Sequence, residues 1–501
     1  MKRILSIAVA LLAALSVVSA QSVDSAVAEH RQRWNDILGE YRQNPAAMLT
    51  AYAASLTQMQ VEVSDRRADR PVFHELGDGH TLTCASVQSY LKLGDRSTVW
   101  GGAAYQIGKK RNIKFNSTAD YRLLRPYVMG DTLGGQIDNE RYTFYGGYAV
   151  QAGRWQLGAL LDFRAEHEYR IIDPRPRSIV TDLTLRLGAV YRLGRYKVGA
   201  SLDGRMYKQT NNVDFYNPLG VIPELHFTGL GADYVRFSGA VRSCYYKATG
   251  GAVGLQLFPA AGSGAYAALT ADYTPYQKIL TELNALPISR LDVYIAGARA
   301  GWKQQGTVDW SLYAGVDAEQ RNGNEHIAGN SSSTEYRSLI TLTMYREHTL
   351  DAYAGGALRW GNRQPLTVEL QAGYLDNAAE YIDLRRRMSC SKLYGRAGWQ
   401  WLLRPATGWQ AIWDGDIAYL HNISKHIVMP LAEMTPQITL LITDTYAAKT
   451  AHATQIDTGL RVYRYPARWK GVGVYLAAGA SLLHMPINSQ HTIRTAVGFV
   501  F

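Results

Sequence analysis

The ionisable residues of this chain fall into rows. Asp162, Arg164, Glu166 and Glu168 occupy alternate positions of one segment, and Arg186, Asp203 and Arg205 follow on the next two. Charges at a spacing of two share one face of a strand. Facing rows of mixed sign allow two kinds of chemistry. One is a transverse field that steers polar solutes through a wet interior. The other is a set of ion-paired ladders that brace a wall or anchor a plug. The mixed signs favour bracing, because neighbouring strands neutralise one another. Asp309, Asp317 and Glu369 hold equivalent places on later segments, and Asp414, Asp416, Asp457 and Arg461 repeat the pattern further on.

A separate group, His74, Glu75, Asp78 and His80, has the ligand types of a divalent-metal site. Polar loops collect such residues by chance, so no metal is expected. His167 and His421 lie near the outer ends of segments, with no Ser or Asp at a telling spacing. Nucleotide loops, zinc signatures and nucleophile elbows do not occur. Neither a cofactor nor an enzymatic role is expected.

The elements that carry these rows read as two-faced strands. In Arg154 to Arg170, Trp155, Leu157, Ala159, Leu161, Phe163 and Ala165 oppose the charged row. Leu183, Leu185 and Leu187 alternate with Asp182, Thr184 and Arg186. Val308, Trp310, Leu312, Ala314 and Val316 alternate with Asp309, Ser311, Tyr313 and Asp317. Leu366, Val368 and Leu370 alternate with Thr367, Glu369 and Gln371. Each apolar row is about ten residues long, enough for a tilted strand to cross a bilayer. Trp and Tyr gather at the row ends, as an interfacial girdle requires.

Short Gly-containing turns recur at 94–96, 152–153, 193–194, 261–264, 305–306, 361–365, 405–408 and 466–470. Longer polar connections alternate with them at roughly 66–80, 110–140, 171–177, 209–240, 278–289, 322–347, 380–390 and 422–448. This is the alternation of an outer-membrane barrel. Counting Gln58–Asp65 as the first strand, and Val241–Pro259 as one strand with a bulge at Gly250-Gly251, gives about 18 strands, with 14 to 18 allowed. The alternation also slips near Gly297. Ahead of the barrel, Trp34, Ile37, Leu38, Tyr41, Met48, Leu49 and Tyr52 predict two short amphipathic helices broken at Asn44-Pro45. They serve equally as a lumen plug or as a docking segment beneath the barrel.

The address is written at both ends. Met1-Lys2-Arg3, an apolar run to Val18 and Val18-Ser19-Ala20 form a secretory signal peptide over residues 1–20. Residues 21–57 are then the helical segment and 58–501 the barrel. The last residues, TIRTAVGFVF, place Ile493, Thr495, Val497, Phe499 and Phe501 on one face. Arg494, Phe499 and Phe501 resemble the C-terminal signal read by the barrel-assembly machinery, with Ala496 where Gly is usual. Both termini are expected in the periplasm.

Three widely spaced cysteines exclude a disulfide framework, though one bridge remains open. The net charge of +11 includes Lys109-Lys110-Arg111 and Arg385-Arg386-Arg387, both placed in loops. There they would meet the anionic outer-membrane lipid and lipopolysaccharide. No recognition motif accompanies the charge, so nucleic acid is not an expected partner.

The chain resembles a set of outer-membrane β-barrels of Bacteroidetes-type bacteria classed as a domain of unknown function. The stretches that carry the resemblance are Ser97 to Gln106, Asn116 to Thr132, His167 to Arg177, Gly229 to Phe237 and Lys278 to Pro287. The resemblance implies fold and location, with no substrate and no functional residues. Asn44-Pro45-Ala46 is also similar to a segment in the N-terminal hatch of long-chain fatty-acid transporters, a match of three residues that carries no function by itself. The expectation is an all-β, transmembrane antiparallel up-and-down barrel. It serves as a channel or substrate-specific transporter, or else as a non-conducting platform or a subunit that partners another outer-membrane protein.

Overall fold

The computed structural model describes residues 22–37, 42–217, 222–239, 242–283, 285–329, 338–430, 434–469 and 471–501. The signal-peptide stretch, Leu38 and Tyr41 lie outside the described residues, as do parts of the connections predicted at 209–240, 322–347 and 422–448.

Two-faced strands without a covering layer can satisfy their backbone groups in a bilayer only by closing on themselves. Eighteen antiparallel strands do so here. They are β1 (Leu56–Ala68), β2 (Gly79–Lys92), β3 (Ser97–Ile113), β4 (Gly135–Ala152), β5 (Trp155–Tyr169) and β6 (Arg175–Leu193). Next come β7 (Tyr196–Asp214), β8 (Ser243–Pro259), β9 (Gly264–Leu280), β10 (Leu286–Gln304), β11 (Val308–Ala328) and β12 (Ser338–Trp360). The ring ends with β13 (Leu366–Tyr381), β14 (Arg386–Leu403), β15 (Trp409–Val428), β16 (Ala453–Arg464), β17 (Gly473–Met485) and β18 (Asn488–Val500). Each strand pairs with its chain neighbour, and β18 closes on β1 with Val500 opposite Gln58. Phe501 and Thr57 then exchange both backbone hydrogen bonds, at 2.7 and 3.0 Å.

The outer face is the apolar one. Leu157, Leu161, Leu185, Leu187, Leu312 and Leu370 are all exposed there. Trp155, Trp302, Trp360, Trp401, Trp409 and Trp413 are exposed beside the short turns, forming the girdle of one interface. At the closing strand Ile493, Val497 and Phe499 face outward and exposed. Arg494 is on the opposite face, where it donates to Ser481 at 3.1 Å.

Several long connections are shorter than predicted, because the strands run on past the apolar belt. β11 and β12 have 21 and 23 residues, about twice what a bilayer crossing needs. The connection expected at 278–289 is reduced to 281–285, and that at 380–390 to 382–385. In the extensions apolar residues such as Leu280, Leu286 and Ile288 are buried against the inward connections instead of facing lipid, so the alternation of the belt does not continue into them. For the same reason Lys109-Lys110-Arg111 lies within β3, and Arg386 and Arg387 begin β14, rather than in loops. Pro486 and Ile487 make a tight turn at the long-loop end that breaks the predicted alternation.

Two irregularities predicted from the pattern are absent. β8 pairs with β7 in one unbroken register through Gly250-Gly251, so no bulge is present. β10 keeps its register through Gly297, and its shift falls instead opposite Lys278 and Ile279. Glycines interrupted the apolar rows, and that interruption in side chains imitated a slip in backbone. All three cysteines are free.

Candidate functional site

The lumen is occupied at both ends. At the short-turn end the N-terminal segment lies inside the ring as α1 (Val23–His30), α2 (Arg33–Asp36) and a 3-10 turn (Pro45–Thr50). Asn44-Pro45, predicted to break a helix, starts one: the Asn44 side chain accepts from the Ala46 N–H, and Pro45 follows as the first helical residue. Val27 packs against Leu402, Ile412, Tyr463, Tyr475 and Val500 on the last strands. Trp34, almost wholly buried, crosses to Val190, Phe258, Tyr266 and Tyr313.

The wall is shaped to receive this segment. A Cβ on Gly158 would stand 2.4 Å from Pro45 and Ala46, and one on Gly188 would stand 2.0 Å from Asn44. The Asn44 amide reaches wall groups at Ala189 O (3.2 Å), Ala200 O (3.0 Å) and Gln256 (3.0 Å). Arg33 forks between Asp416 at 2.7 Å and Glu369 at 2.9 Å. Burial opposes its charge, but hydrogen bonds to the two carboxylates raise its pKa above the ordinary value. His30 hydrogen-bonds Ala54 O at 2.8 Å and stacks on Tyr52 at 3.8 Å. Burial lowers its pKa to about 4, so it is neutral in place.

At the opposite end the connection after β3 turns inward. It carries Phe115, a short helix α3 (Tyr121–Leu124), Tyr127, Val128 and Met129; Phe115, Leu124, Tyr127, Val128 and Met129 are buried. Seven wall strands hold it. Arg164 of β5 pairs with Asp120 at 2.6 Å. Ser178 of β6 and Asn211 of β7 donate to Ser117 O at 2.8 and 2.9 Å. Tyr246 of β8 donates to Tyr127 O at 2.9 Å, and Lys278 of β9 to Val128 O at 3.0 Å. Arg321 of β11 reaches the carbonyls of Arg122, Leu123 and Arg125. Arg125 in turn grips Glu347 of β12 through both oxygens at 2.7 and 2.9 Å.

A second inward connection adds a strand, Leu225–Gly229, beside Met129–Gly130. Between the two connections Glu224 accepts from Ser117 near 3.3 Å. Burial and the nearby Asp131 push its carboxyl up to about 8. The third covering element is α4 (Pro436–Thr450), which presses Ile438 and Leu441 into the same apolar core.

The sequence-predicted charges occupy this interior as follows. Arg186 and Asp203 pair at 2.6 Å, and Arg205 pairs with Asp182 at 2.6 Å. Glu166 accepts from Arg164, Arg141 and Asn139. Glu168 is held by Asn139 and Lys110. Asp309 pairs with Arg359 at 2.8 Å. Glu369 and Asp416 take Arg33, and Asp457 sits 3.9 Å from Arg494. Asp162, Asp317, Asp414 and Arg461 form no ion pair among the described residues; Arg461 lies over the Tyr475 ring at 5.6 Å. The two carboxylates Asp162 and Asp317 are exposed to the lumen.

The histidine and carboxylate group does not converge. His74 turns to Asp444 at 2.9 Å, Glu75 takes the Tyr121 hydroxyl at 2.7 Å, and Asp78 takes Asn112. His80 has no hydrogen-bond partner in common with them. Each is drawn to its own neighbour because the loop folds around the 3-10 turn His74–Leu76. Among the described residues no three His, Cys, Asp or Glu side chains are grouped to hold a metal. His167 stacks on Tyr169 and His421 on His452.

Two cavities adjoin these elements. One, of about 610 Å³, adjoins the N-terminal segment and is lined by Arg31, Arg33, Tyr90, Trp100, Asp414 and Arg461 among others. The other, of about 650 Å³, lies between the inward connections, α4 and the wall strands β11 to β14. Of its polar side chains Glu75 was singled out by the sequence, but Arg122, Arg125, Glu347, Lys392 and Lys449 were not. They come from four distant segments, and no local spacing announces them.

A family model described as a family of unknown function (DUF6850) matches residues 45–501. No curated protein sequence matches the chain. Among solved structures it is similar to the outer membrane transporter YddB from Escherichia coli, at 7% identity and TM-score 0.39, over 89% of this chain and 80% of that one. It is also similar to the ferric enterobactin receptor PfeA from Pseudomonas aeruginosa, at 6% identity and TM-score 0.39, over 89% and 81%. CdiB from Acinetobacter baumannii follows at 9% and 0.35, over 88% and 60%. Likenesses this loose carry nothing about what the chain binds.

Proposed function

The chain belongs to the DUF6850 family of unknown function, and from its interior we propose that it is a solute-specific, gated transporter of the outer membrane. The observation that carries this is the lumen itself. An 18-strand ring is wide enough for an aqueous interior, and this one keeps the carboxyl groups of Asp162 and Asp317 exposed midway with a cavity towards each end. A barrel built only as a scaffold has no use for such cavities. The two obstructions support a closed resting state, in which passage needs one of them to move. The N-terminal segment is the movable one in this reading, held by the Arg33 fork, the Asn44 contacts and single hydrogen bonds from Tyr90, Arg186, Arg359 and Gln400 of the wall. Export by the 1–20 signal peptide, assembly through Arg494, Phe499 and Phe501, and both termini facing the periplasm belong to the same proposal, as does the absence of a catalytic role.

A second reading, a non-conducting platform, is favoured by the seven-strand grip on the inward connection. Planar-bilayer recordings on the full mature chain and on a chain lacking residues 22–53 separate the two. Little conductance in the first and steady conductance in the second supports the gated transporter. Steady conductance in the full chain would make it an open channel, and silence in both, with heat-modifiable migration intact, would make it a platform.

A further inference from the structure

The cavity at the long-loop end has two unlike walls. One is apolar, with Phe73, Phe115, Phe227, Leu230, Leu441 and Ile442 brought together from four separate connections. The other is charged, and its charges do not balance: five cationic side chains line it against three carboxylates. All three carboxylates are already engaged. Glu347 holds Arg125 and Lys449, Glu319 holds Arg321, and Glu75 accepts the Tyr121 hydroxyl. That leaves Arg122 and Lys392 with no carboxylate among the described residues. Lys392 donates only to a neutral carbonyl, Ala451 O at 2.9 Å.

A dry wall facing surplus cations suits a ligand with an apolar body and an anionic head. Solvation by water alone would leave the apolar wall wet, and a cationic ligand would meet like charge. The volume, about 650 Å³, lies within the roughly 300–1,000 Å³ of sites for small organic ligands. We infer that this cavity binds an amphiphilic anion, its head between Arg122 and Lys392 and its body against Phe115, Phe227 and Leu441. The inference rests on the transporter reading only for the fate of the ligand, not for its binding.

The test uses the full mature chain in phosphatidylcholine nanodiscs, titrated calorimetrically with decane-1-sulfonate below its micelle concentration. Decyltrimethylammonium and methanesulfonate serve as comparison probes, and empty nanodiscs are subtracted. The expected result is saturable one-to-one binding of the sulfonate alone. Arg122→Gln with Lys392→Gln should weaken it at least about tenfold, the scale of one lost charge-assisted contact. Ala379→Trp, which fills the cavity from a lining position of β13, should abolish it. Should Ala379→Trp not fold, the charge pair alone decides. Equal binding of the cationic probe, or binding indifferent to the charge pair, would overturn the inference. Binding without passage of the sulfonate into proteoliposomes would leave this site standing and remove the transport reading. Passage of other small solutes without sulfonate binding would do the reverse.

Discussion

The two obstructions inside the ring are built on different principles. The N-terminal segment fits into the wall: Gly158 and Gly188 make room for Asn44 and Pro45, and Trp34 fills the hollow beyond them. Its charged fastening is local, one arginine between two carboxylates. The carbonyls of both elements meet wall side chains, at Arg31, Gln43 and Met48 in the first and at Ser117, Arg122, Tyr127 and Val128 in the second, but the second adds more of them and the ion pairs Arg164–Asp120 and Arg125–Glu347. A contact made by shape is lost in one step when the shape is blocked. A contact made by many separate hydrogen bonds gives way only piecemeal. The difference marks the first as a candidate gate and the second as part of the barrel's own stability.

The largest effect should come from the tied element. Glu347→Ala leaves Arg125 and Lys449 without their shared partner. It should cost about 3–5 kcal/mol, as removal of one member of a buried pair does, seen as a lower unfolding midpoint in detergent. A change below about 1 kcal/mol would show the connection to be loosely held.

Gly188→Leu should do the opposite. With no room for Asn44, the N-terminal segment should leave the lumen, raising bilayer conductance while the barrel's midpoint moves little. Unchanged conductance would mean that the segment is not the gate. Arg33→Met is a milder form of the same experiment. It leaves Asp416 with Arg396 and Glu369 with the Tyr313 hydroxyl, and should increase protease cleavage within residues 22–53, with little effect beyond β1.

The two elements should also answer pH in opposite senses. His30, held near 4 against an ordinary 6.5, stays neutral in place. Docking of the N-terminal segment is therefore fully stable above about 6.5 and weakens as pH falls towards 4. Glu224 is held near 8 against an ordinary 4.5. The contact between the two inward connections is fully stable below about 4.5 and weakens as pH rises towards 8. Hydrogen exchange of the two regions across this range should show the crossing, and Glu224→Gln should flatten the alkaline limb. The smallest effect is expected at Asp317, exposed to the lumen without an ion pair. Asp317→Asn should shift stability by less than about 0.5 kcal/mol.

Much of this was legible in the residues. Period-2 rows such as Trp155 to Ala165 opposite Asp162 to Glu168 fixed the two faces, since a strand has only two. The same rows put Arg186 and Asp203 on one face, and the two side chains pair. Rows stop being informative where lipid stops, which is why the extensions of β11 and β12 were read as loops.

Of the candidate cavity's charged residues only Glu75 was named from the sequence. Arg122, Glu347, Lys392 and Lys449 are far apart in the chain and share no spacing, and Asp444 meets His74 across 370 positions. The alternation of side chains by itself determined that this protein is a closed two-faced barrel, because unpaired strand edges are not tolerated in a bilayer. Whether its interior is empty was decided only in three dimensions, because the described segments that fill it, 22–37, 42–53 and 114–134, gain partners from walls that the closed ring brings around them.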